Sequence, residues 1–304
     1  MKTAPKRLLQ LALLAALFLF VALHFLLPTL IYQPHARPCP TGEVAGMTQR
    51  IFTPAPGIGL PANVLTPDTL RGTVLLIHGK GGCKERYLDL QQDFAAIGVR
   101  TLALDMRAHG ASEGGFATYG FYEKEDVAAI VHQLRGEAGG ELPIGVLGKS
   151  MGGAIALQAL AATDELDFGI IDETFADFPD VTEEYAERLF HGILPAWMTD
   201  YALNRAATVA DFDPTEVSPE RAAEQITVPV LMSHGENDTN IPLAHARRNF
   251  SHLASADKTL RIIPAGTHGN YPGPGGAAYA AEVLEFVDRQ LSKTSPASVE
   301  GGKR

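Results

Sequence analysis

The sequence predicts an α/β fold with a mostly parallel sheet and helices on both of its faces. Three observations lead to this class. Short apolar runs that are typical of buried strands alternate with helical patterns from Thr73 onward. A glycine-bordered turn, Gly148-Lys-Ser-Met-Gly152, joins one of these strands to a helix. Polar residues follow several strands at their carboxyl ends, where the sites of α/β proteins lie.

The N-terminus begins with an apolar segment from Leu8 to Leu27 that holds no formally charged residue. As a helix of ~1.5 Å per residue it is about as long as bilayer hydrocarbon is thick. A cleaved signal peptide is the alternative, but no small-x-small cleavage site follows. We therefore predict a cytoplasmic N-terminus (1–7), a transmembrane signal anchor (8–27) and a linker (28–47). The positive-inside rule then places the following domain outside the cytoplasm, on the periplasmic or extracellular side of the membrane.

The charge balance limits the partners of the remaining chain. Four of the 25 Lys and Arg residues lie in the first 40 positions, which hold none of the 35 Asp and Glu residues. An acidic body of this kind does not bind nucleic acid and does not adhere to anionic lipid by charge. We expect the anchor to make the membrane contact and a small molecule to be the ligand. The two cysteines, Cys39 and Cys83, either pair in an oxidising compartment or remain free thiols, and both possibilities stay open.

The elements of the predicted domain, residues 48–291, follow in a regular order. Thr48 to Thr66 holds short apolar runs broken by Pro and Gly, which predict antiparallel entry strands. The tail, 292–304, is polar and predicted to be disordered. Between them we predict strands over Thr73–Ile77, Val99–Leu104, Ile144–Leu147, Leu166–Ile171, Val228–Ser233 and Thr259–Ile263, and helices over Tyr87–Ile97, Tyr122–Leu134, Ala154–Ala162 and Tyr279–Leu291.

Ser150 is the candidate nucleophile. A strand that reverses within one residue and enters a helix leaves the serine hydroxyl exposed, and glycines two positions away on either side avoid collisions. A glycine-bordered structural turn is the simpler interpretation of the same pattern. A phosphate-binding loop would need glycine five positions before Gly148. Because Pro143 stands there, that interpretation fails.

Asp238 and His268 complete a candidate triad. A serine hydroxyl needs an imidazole to accept its proton, and the imidazole needs a carboxylate to hold its tautomer. Asp238 follows the strand Val228–Ser233, and His268 lies on the loop before the closing helix. Each could instead have a purely structural role, and Asp172 is the rival carboxylate.

The loop that follows Ile77 is glycine-rich and predicts the second half of an oxyanion hole. Such a hole needs two N–H donors, one from the residue after the nucleophile and one from a loop after an earlier strand. Met151 fills the first role, and Lys80 is the candidate for the second through its backbone amide. An ordinary strand-to-helix turn is the alternative. Arg107 and His109, after the next strand, are predicted to be structural.

Metal and cofactor sites are not predicted. The sequence contains no His-Glu-x-x-His pattern, and its remaining histidines are not at metal-ligand spacing. We therefore expect neither a metal nor a cofactor.

About 55 residues separate the Leu166–Ile171 and Val228–Ser233 strands, too many for a simple crossover. We predict a small helical cap at about 173–225. Its aromatic residues either line an acyl pocket or bury the insertion against the sheet. Both alternatives stay open.

Several motifs together resemble the α/β-hydrolase superfamily from about Gln49 to Leu291. The resemblance is to membrane-anchored serine hydrolases of the monoglyceride-lipase-like and prolyl-oligopeptidase-like group. The motifs are His78-Gly79, Asp105-x-Arg-x-His-Gly-x-Ser112, Gly148-x-Ser-x-Gly152, His234-Gly-x-x-Asp238 with Ile241-Pro242, and Gly266-x-His268. Two residues depart from the usual pattern: Ala108 stands where glycine is frequent, and Lys149 precedes the nucleophile where an apolar or aromatic residue is usual.

The resemblance implies an α/β-hydrolase fold and a serine hydrolase that cleaves a carboxylic ester through an acyl-enzyme intermediate. A peptidase or amidase with the same triad is the alternative, and a non-catalytic binding module is a further one.

Overall fold

The computed structural model describes residues 4–33, 37–42, 44–271 and 273–293. Most of the predicted tail (292–304) lies outside the described residues.

One sheet of eight strands forms the centre of the fold, in the order β1-β2-β4-β3-β5-β6-β7-β8. The first two strands pair as an antiparallel hairpin, β2 pairs antiparallel with β4, and all other pairs are parallel. The predicted mixed sheet with antiparallel entry strands is therefore confirmed. The strands are β1 (Thr48–Ala55), β2 (Ile58–Leu65), β3 (Gly72–Ile77), β4 (Val99–Leu104), β5 (Ile144–Lys149), β6 (Phe168–Asp172), β7 (Val230–Gly235) and β8 (Lys258–Ile263).

Ten α-helices in the described residues surround the sheet or precede it. They are α1 (Ala4–Val21), α2 (Leu27–Tyr32), α3 (Leu88–Ala96), α4 (Glu123–Arg135), α5 (Met151–Ala162), α6 (Phe178–Leu189), α7 (Ala196–Ala210), α8 (Pro219–Ala223), α9 (Leu243–His252) and α10 (Gly273–Lys293).

Two apolar clusters lie on opposite faces of the sheet because side chains alternate along each strand. Leu75 and Ile77 of β3 join a cluster that includes residues of α4 and α5. Val74 and Leu76 join a second cluster with Phe94 of α3 and Phe286 of α10. All six residues of β3 are buried, as expected for a central strand covered on both faces. The predicted placement of helices on both faces is confirmed.

The N-terminal helix is long and apolar. Helix α1, a π-helical turn over Ala22–Leu26 and α2 follow one another directly, and Lys6–Tyr32 is long and apolar enough to cross a membrane. Its side chains from Leu8 to Leu19 are exposed. A membrane anchor and a signal sequence share these properties.

The C-terminal end of this helix packs against the domain. Tyr32 is buried, and its carbonyl accepts a hydrogen bond from the Ala117 amide at 2.9 Å. The Tyr119 hydroxyl donates to the Ile31 carbonyl at 2.6 Å. The helix thus continues five residues beyond the predicted end of the spanning segment at Leu27, and the backbone carbonyls of Ile31 and Tyr32 accept hydrogen bonds from the domain that follows.

Cys39 and Cys83 form a disulfide, which resolves the alternative that the sequence left open. The Arg37 amide also donates to the Gly81 carbonyl at 2.9 Å. The segment that follows α2 is therefore attached to the loop after β3.

The cap lies between β6 and β7 and consists of α6, α7, a 3₁₀ turn and α8. Its large apolar and aromatic residues differ in burial. Phe175, Phe178 and Phe212 are buried in the core, so these aromatics bury the insertion. Five large apolar or aromatic residues of the cap remain exposed: Tyr185, Leu189, Ile193, Trp197 and Tyr201.

Candidate active site

Ser150 lies in the one-residue reversal between β5 and α5, with φ 56° and ψ −119°. A positive φ is costly for a residue with a side chain, of order 1–3 kcal/mol, and persists only where neighbouring groups hold it. The Ser150 amide donates to the Asp172 carbonyl at 2.8 Å, and the Thr174 hydroxyl donates to the Ser150 carbonyl at 2.9 Å. These bonds hold the strained backbone.

The two flanking glycines are required by close backbone packing. A Cβ on Gly148 would overlap the carbonyl of Gly152, and a Cβ on Gly152 would overlap the carbonyl of Ile77. Glycine at both positions therefore avoids collisions in the folded chain, as the spacing around Ser150 predicts.

A continuous chain of hydrogen bonds joins Ser150, His268 and Asp238. His268 Nε2 lies 3.0 Å from Ser150 Oγ, and His268 Nδ1 lies 2.7 Å from Asp238 Oδ2. An imidazole that donates Nδ1–H to the carboxylate presents the lone pair of Nε2 to the serine hydroxyl. His268 follows Ser150 by 118 positions and Asp238 by 30 positions. The carboxyl edge of the sheet brings the three residues together.

Asp238 is held as an ionised group. Its Oδ1 accepts hydrogen bonds from the amides of Asn240 and Ile241 at 2.8 and 3.0 Å, and His234 Nε2 lies 3.3 Å from Oδ2. Burial opposes ionisation, but the hydrogen bonds from His234, His268 and the Ile241 amide outweigh it and lower the pKa of Asp238 below its ordinary value. An ionised Asp238 can stabilise a positively charged His268.

The rival carboxylate, Asp172, makes other contacts. Its Oδ1 accepts hydrogen bonds from the Ser233 hydroxyl at 2.6 Å and from the Tyr279 hydroxyl. Burial raises its pKa, although the bonds from these two hydroxyls oppose the shift. His268 Nδ1 donates its hydrogen bond to Asp238 and not to Asp172.

The loop after β3 approaches the nucleophile through its backbone. A Cβ on Gly79 would lie 3.2 Å from Ser150 Cβ, so a glycine lets the chain pass close to the serine. The Lys80 side chain extends away, and its Nζ donates to the Leu30 carbonyl at 2.6 Å. Met151 is the first residue of α5, where an amide has no acceptor within the helix. The oxyanion roles of the Lys80 and Met151 amides remain predictions.

Two histidines support this loop as buried structural groups. His78 Nε2 accepts from the Met106 amide at 3.2 Å, and its Nδ1 donates to the Gly79 carbonyl at 2.9 Å. Burial lowers the pKa of His78 and that of His109, the latter to about 4. His78 and His109 are therefore neutral imidazoles that support the loop after β3. Arg107 forms an ion pair with Asp126. These contacts agree with the structural role predicted for Arg107 and His109.

Glu173 is a residue near the site that sequence reasoning missed. It directly follows β6 and is fully buried, and both of its carboxylate oxygens accept the Gly269 amide, at 2.9 and 2.8 Å. The only signal in the sequence is a second acidic residue directly after Asp172 at a strand end. Nothing in the sequence links that position to the loop of His268, 95 residues later.

Among the residues that the structure describes, two groups of side chains have ligand atoms close enough to hold a metal ion. In the first, Glu173, Asp238 and His268 offer atoms within 4.8 Å of one another, but hydrogen bonds already occupy these atoms. In the second, Cys39 and Cys83 accompany Glu85, but their sulfur atoms are joined in the disulfide. The first arrangement suits proton transfer better than metal binding.

The sheet order, the elbow and the helical cap define an α/β-hydrolase. Within that superfamily the chain belongs to the family described as serine aminopeptidase, S33. The family model matches residues 68–172 and 206–271, together more than half of the chain.

The chain is similar to several known proteins, of which three are described. The Bacillus subtilis (strain 168) protein YqkD is 30% identical over 254 residues, which cover 81% of each chain. A monoacylglycerol lipase of Mycolicibacterium smegmatis is 29% identical over 80% of this chain and 98% of its own. An esterase structure from Pyrococcus furiosus superposes with a TM-score of 0.66 at 22% identity, covering 85% of this chain and 98% of its own. This last similarity concerns the fold alone.

Proposed function

We propose that this protein is a serine hydrolase that cleaves a carboxylic ester through an acyl-enzyme intermediate. One observation carries the proposal: the hydrogen-bonded chain Ser150–His268–Asp238, with its serine on a strained elbow. A hydroxyl with an aligned imidazole and an ionised carboxylate behind it is the arrangement that activates serine at neutral pH.

The reaction follows from the positions of the groups. His268 Nε2 takes the proton of Ser150 as Oγ attacks the ester carbonyl, and the amides of Lys80 and Met151 donate to the oxyanion. The N-terminus of α5 adds a positive end of a helix dipole at the same point. The imidazolium then gives its proton to the leaving alcohol, which departs and leaves an ester on Ser150. Water, deprotonated by His268, releases the carboxylic acid and restores the serine.

The ester substrate is proposed from the relatives. The Mycolicibacterium smegmatis relative is named a monoacylglycerol lipase, an enzyme whose substrate is a carboxylic ester. The family description, serine aminopeptidase, favours a peptide or amide bond as the second candidate. The same triad serves both reactions.

The test measures hydrolysis of p-nitrophenyl esters from acetyl to palmitoyl, together with labelling by a fluorophosphonate. We expect turnover of the esters and a mass shift on the peptide that contains Ser150. Labelling without ester turnover would transfer the proposal to amide substrates, and aminoacyl p-nitroanilides then provide the assay. If the protein shows no turnover and no labelling, the result would favour a non-catalytic binding module.

We further propose that the N-terminal helix anchors the protein and that the cap faces the bilayer beside it. The hydroxyl oxygen of Tyr201, in α7, lies 2.8 Å from Nδ1 of His24. The cap therefore contacts the apolar helix. Trp197 and Ile193 of the cap are exposed at 57% and 82%. Large exposed apolar side chains next to a candidate spanning helix are typical of a membrane-facing surface. The predicted division into anchor (8–27), linker (28–47) and hydrolase domain (48–291) remains part of this proposal, as does the extracytoplasmic location.

Trp197 is the only tryptophan in the chain and therefore reports on this surface without any substitution. In phosphatidylcholine vesicles, we expect the full-length protein to show blue-shifted tryptophan emission that brominated phosphatidylcholine quenches, because the indole lies at the interface. The matched control places tryptophan at exposed Asp164, in the turn before β6, in a Trp197→Phe background. Equal quenching of both proteins by acrylamide and none by brominated lipid would contradict a membrane-facing cap.

A further inference from the structure

Glu173 occupies a conformation and an environment that are costly for a glutamate. Its backbone has φ 51°, and its side chain is fully buried. A positive φ favours glycine or asparagine, and a buried carboxylate needs partners to remain ionised. The Glu173 amide donates to the Ser233 carbonyl at 2.9 Å. The structure around the residue therefore maintains a geometry that the glutamate itself does not favour.

The partners of this carboxylate connect it to both ends of the serine–histidine pair. Gly269, whose amide donates to both oxygens, directly follows His268. Lys149, whose Nζ lies 3.5 Å from Oε2, directly precedes Ser150. The Lys149 ammonium also lies 5.6 Å from the centre of the Tyr271 ring. Lys149 is the residue that departs from the usual pattern before the nucleophile, and this pairing gives that departure a physical reason.

The charges near His268 come from three strands. Asp238 follows β7, Glu173 follows β6 and Lys149 ends β5, with the neutral phenol of Tyr271 beside them; burial and the nearby carboxylates raise the pKa of that phenol. Oxygens of Glu173 and Asp238 lie within 4.8 Å of a His268 ring nitrogen. Both carboxylates are therefore close enough to interact with positive charge that develops on the ring during proton transfer.

We propose that Glu173 is a positioning residue for His268 and that Lys149 is its counter-ion. Glu173 fixes the His268 loop through the Gly269 amide, so that Nε2 is directed at Ser150 Oγ. Its negative charge also stabilises the imidazolium that forms when Ser150 is deprotonated. This proposal rests on the proposed hydrolase function, because positioning is measured as a change in turnover.

Two substitutions separate geometry from charge. Glu173→Ala removes the acceptor of the Gly269 amide, and we expect kcat to fall about 10- to 100-fold with little change in KM, since small misplacements of a catalytic group have effects of this size. Glu173→Gln keeps an oxygen for the Gly269 amide but removes the charge. We expect it to recover most of kcat and to move the acid limb of the kcat/KM profile to lower pH, because the imidazolium loses a stabilising charge.

Removing the counter-ion, Lys149, is expected to move the acid limb in the direction opposite to that of Glu173→Gln. Lys149→Met leaves the charge of Glu173 uncompensated, so the acid limb should move to higher pH. Lys124→Met is the matched control, because Lys124 lies 5.8 Å from the centre of the Phe121 ring on a different part of the domain. Glu137→Gln is the control for the carboxylate, since Glu137 pairs with Arg50 beside β1.

The outcomes are distinguishable. If wild type hydrolyses esters and the Glu173 variants match Glu137→Gln in both kcat and acid limb, the positioning proposal is overturned, even if their melting temperatures fall. If wild type neither hydrolyses nor reacts with a fluorophosphonate, the proposed function itself is overturned. Should Glu173→Ala fail to fold, Glu173→Gln and its pH profile still decide the question.

Discussion

Replacing Ser150 by alanine is expected to lower kcat for ester hydrolysis by about 10⁵- to 10⁶-fold. In the proposed mechanism the acyl group is transferred to Ser150 Oγ, the hydroxyl oxygen that lies 3.0 Å from His268 Nε2. A residual rate above that of water should persist, since the proposed oxyanion donors remain in place. The measurement is steady-state turnover of the best p-nitrophenyl ester.

The stability of this variant should be close to that of wild type. Alanine and serine at φ 56° bear a similar backbone strain, so the substitution removes chemistry without changing the elbow. Ser251→Ala is the matched control, because Ser251 is exposed and its hydroxyl donates only to the Arg248 carbonyl among the bonds described. Fluorophosphonate labelling should disappear in Ser150→Ala and persist in Ser251→Ala. Retained turnover in Ser150→Ala would rule out the acyl-enzyme mechanism.

The sequence was sufficient to predict the parts of the site that depend on local geometry. Gly148 and Gly152 have to be small because of backbone contacts within one strand–turn–helix unit, so their spacing around Ser150 carries the prediction. Asp238 and His268 follow strands of a parallel sheet, whose carboxyl ends meet at one edge. Their proximity to Ser150 therefore follows from the fold class.

Other features depend on tertiary contacts that no local pattern encodes. Glu173 reaches Gly269 only because β6 lies next to β7 and the His268 loop folds over both. The pairing of Cys39 with Cys83 depends on how the segment after α2 returns to the loop after β3. Likewise, a hydropathy pattern ends the apolar segment at Leu27, whereas the docking of Ile31 and Tyr32 extends the helix onto the domain.

Asp238→Asn is expected to lower kcat by about 10⁴-fold. Asparagine can still accept the amides of Asn240 and Ile241 through its oxygen, which leaves its NH₂ group directed at His268 Nδ1. The imidazole would then accept at Nδ1 and carry its proton on Nε2, so it could not take the proton of Ser150. Asparagine also removes the charge that stabilises the imidazolium.

Asp172→Asn is the matched control for this prediction, because Asp172 is the rival carboxylate at a strand end and contacts Ser233 and Tyr279. Its kcat should change less than about tenfold, as expected for a residue that does not bond His268. A larger loss in Asp172→Asn than in Asp238→Asn would assign the carboxylate role to Asp172.

The pH dependence of stability provides a second check on Asp238. Folding lowers the pKa of Asp238, so its ionised form stabilises the fold at pH above the unfolded value of about 3.9. That contribution is lost as the pH falls below this value, and the melting temperature of wild type should therefore decrease more steeply there than that of Asp238→Asn.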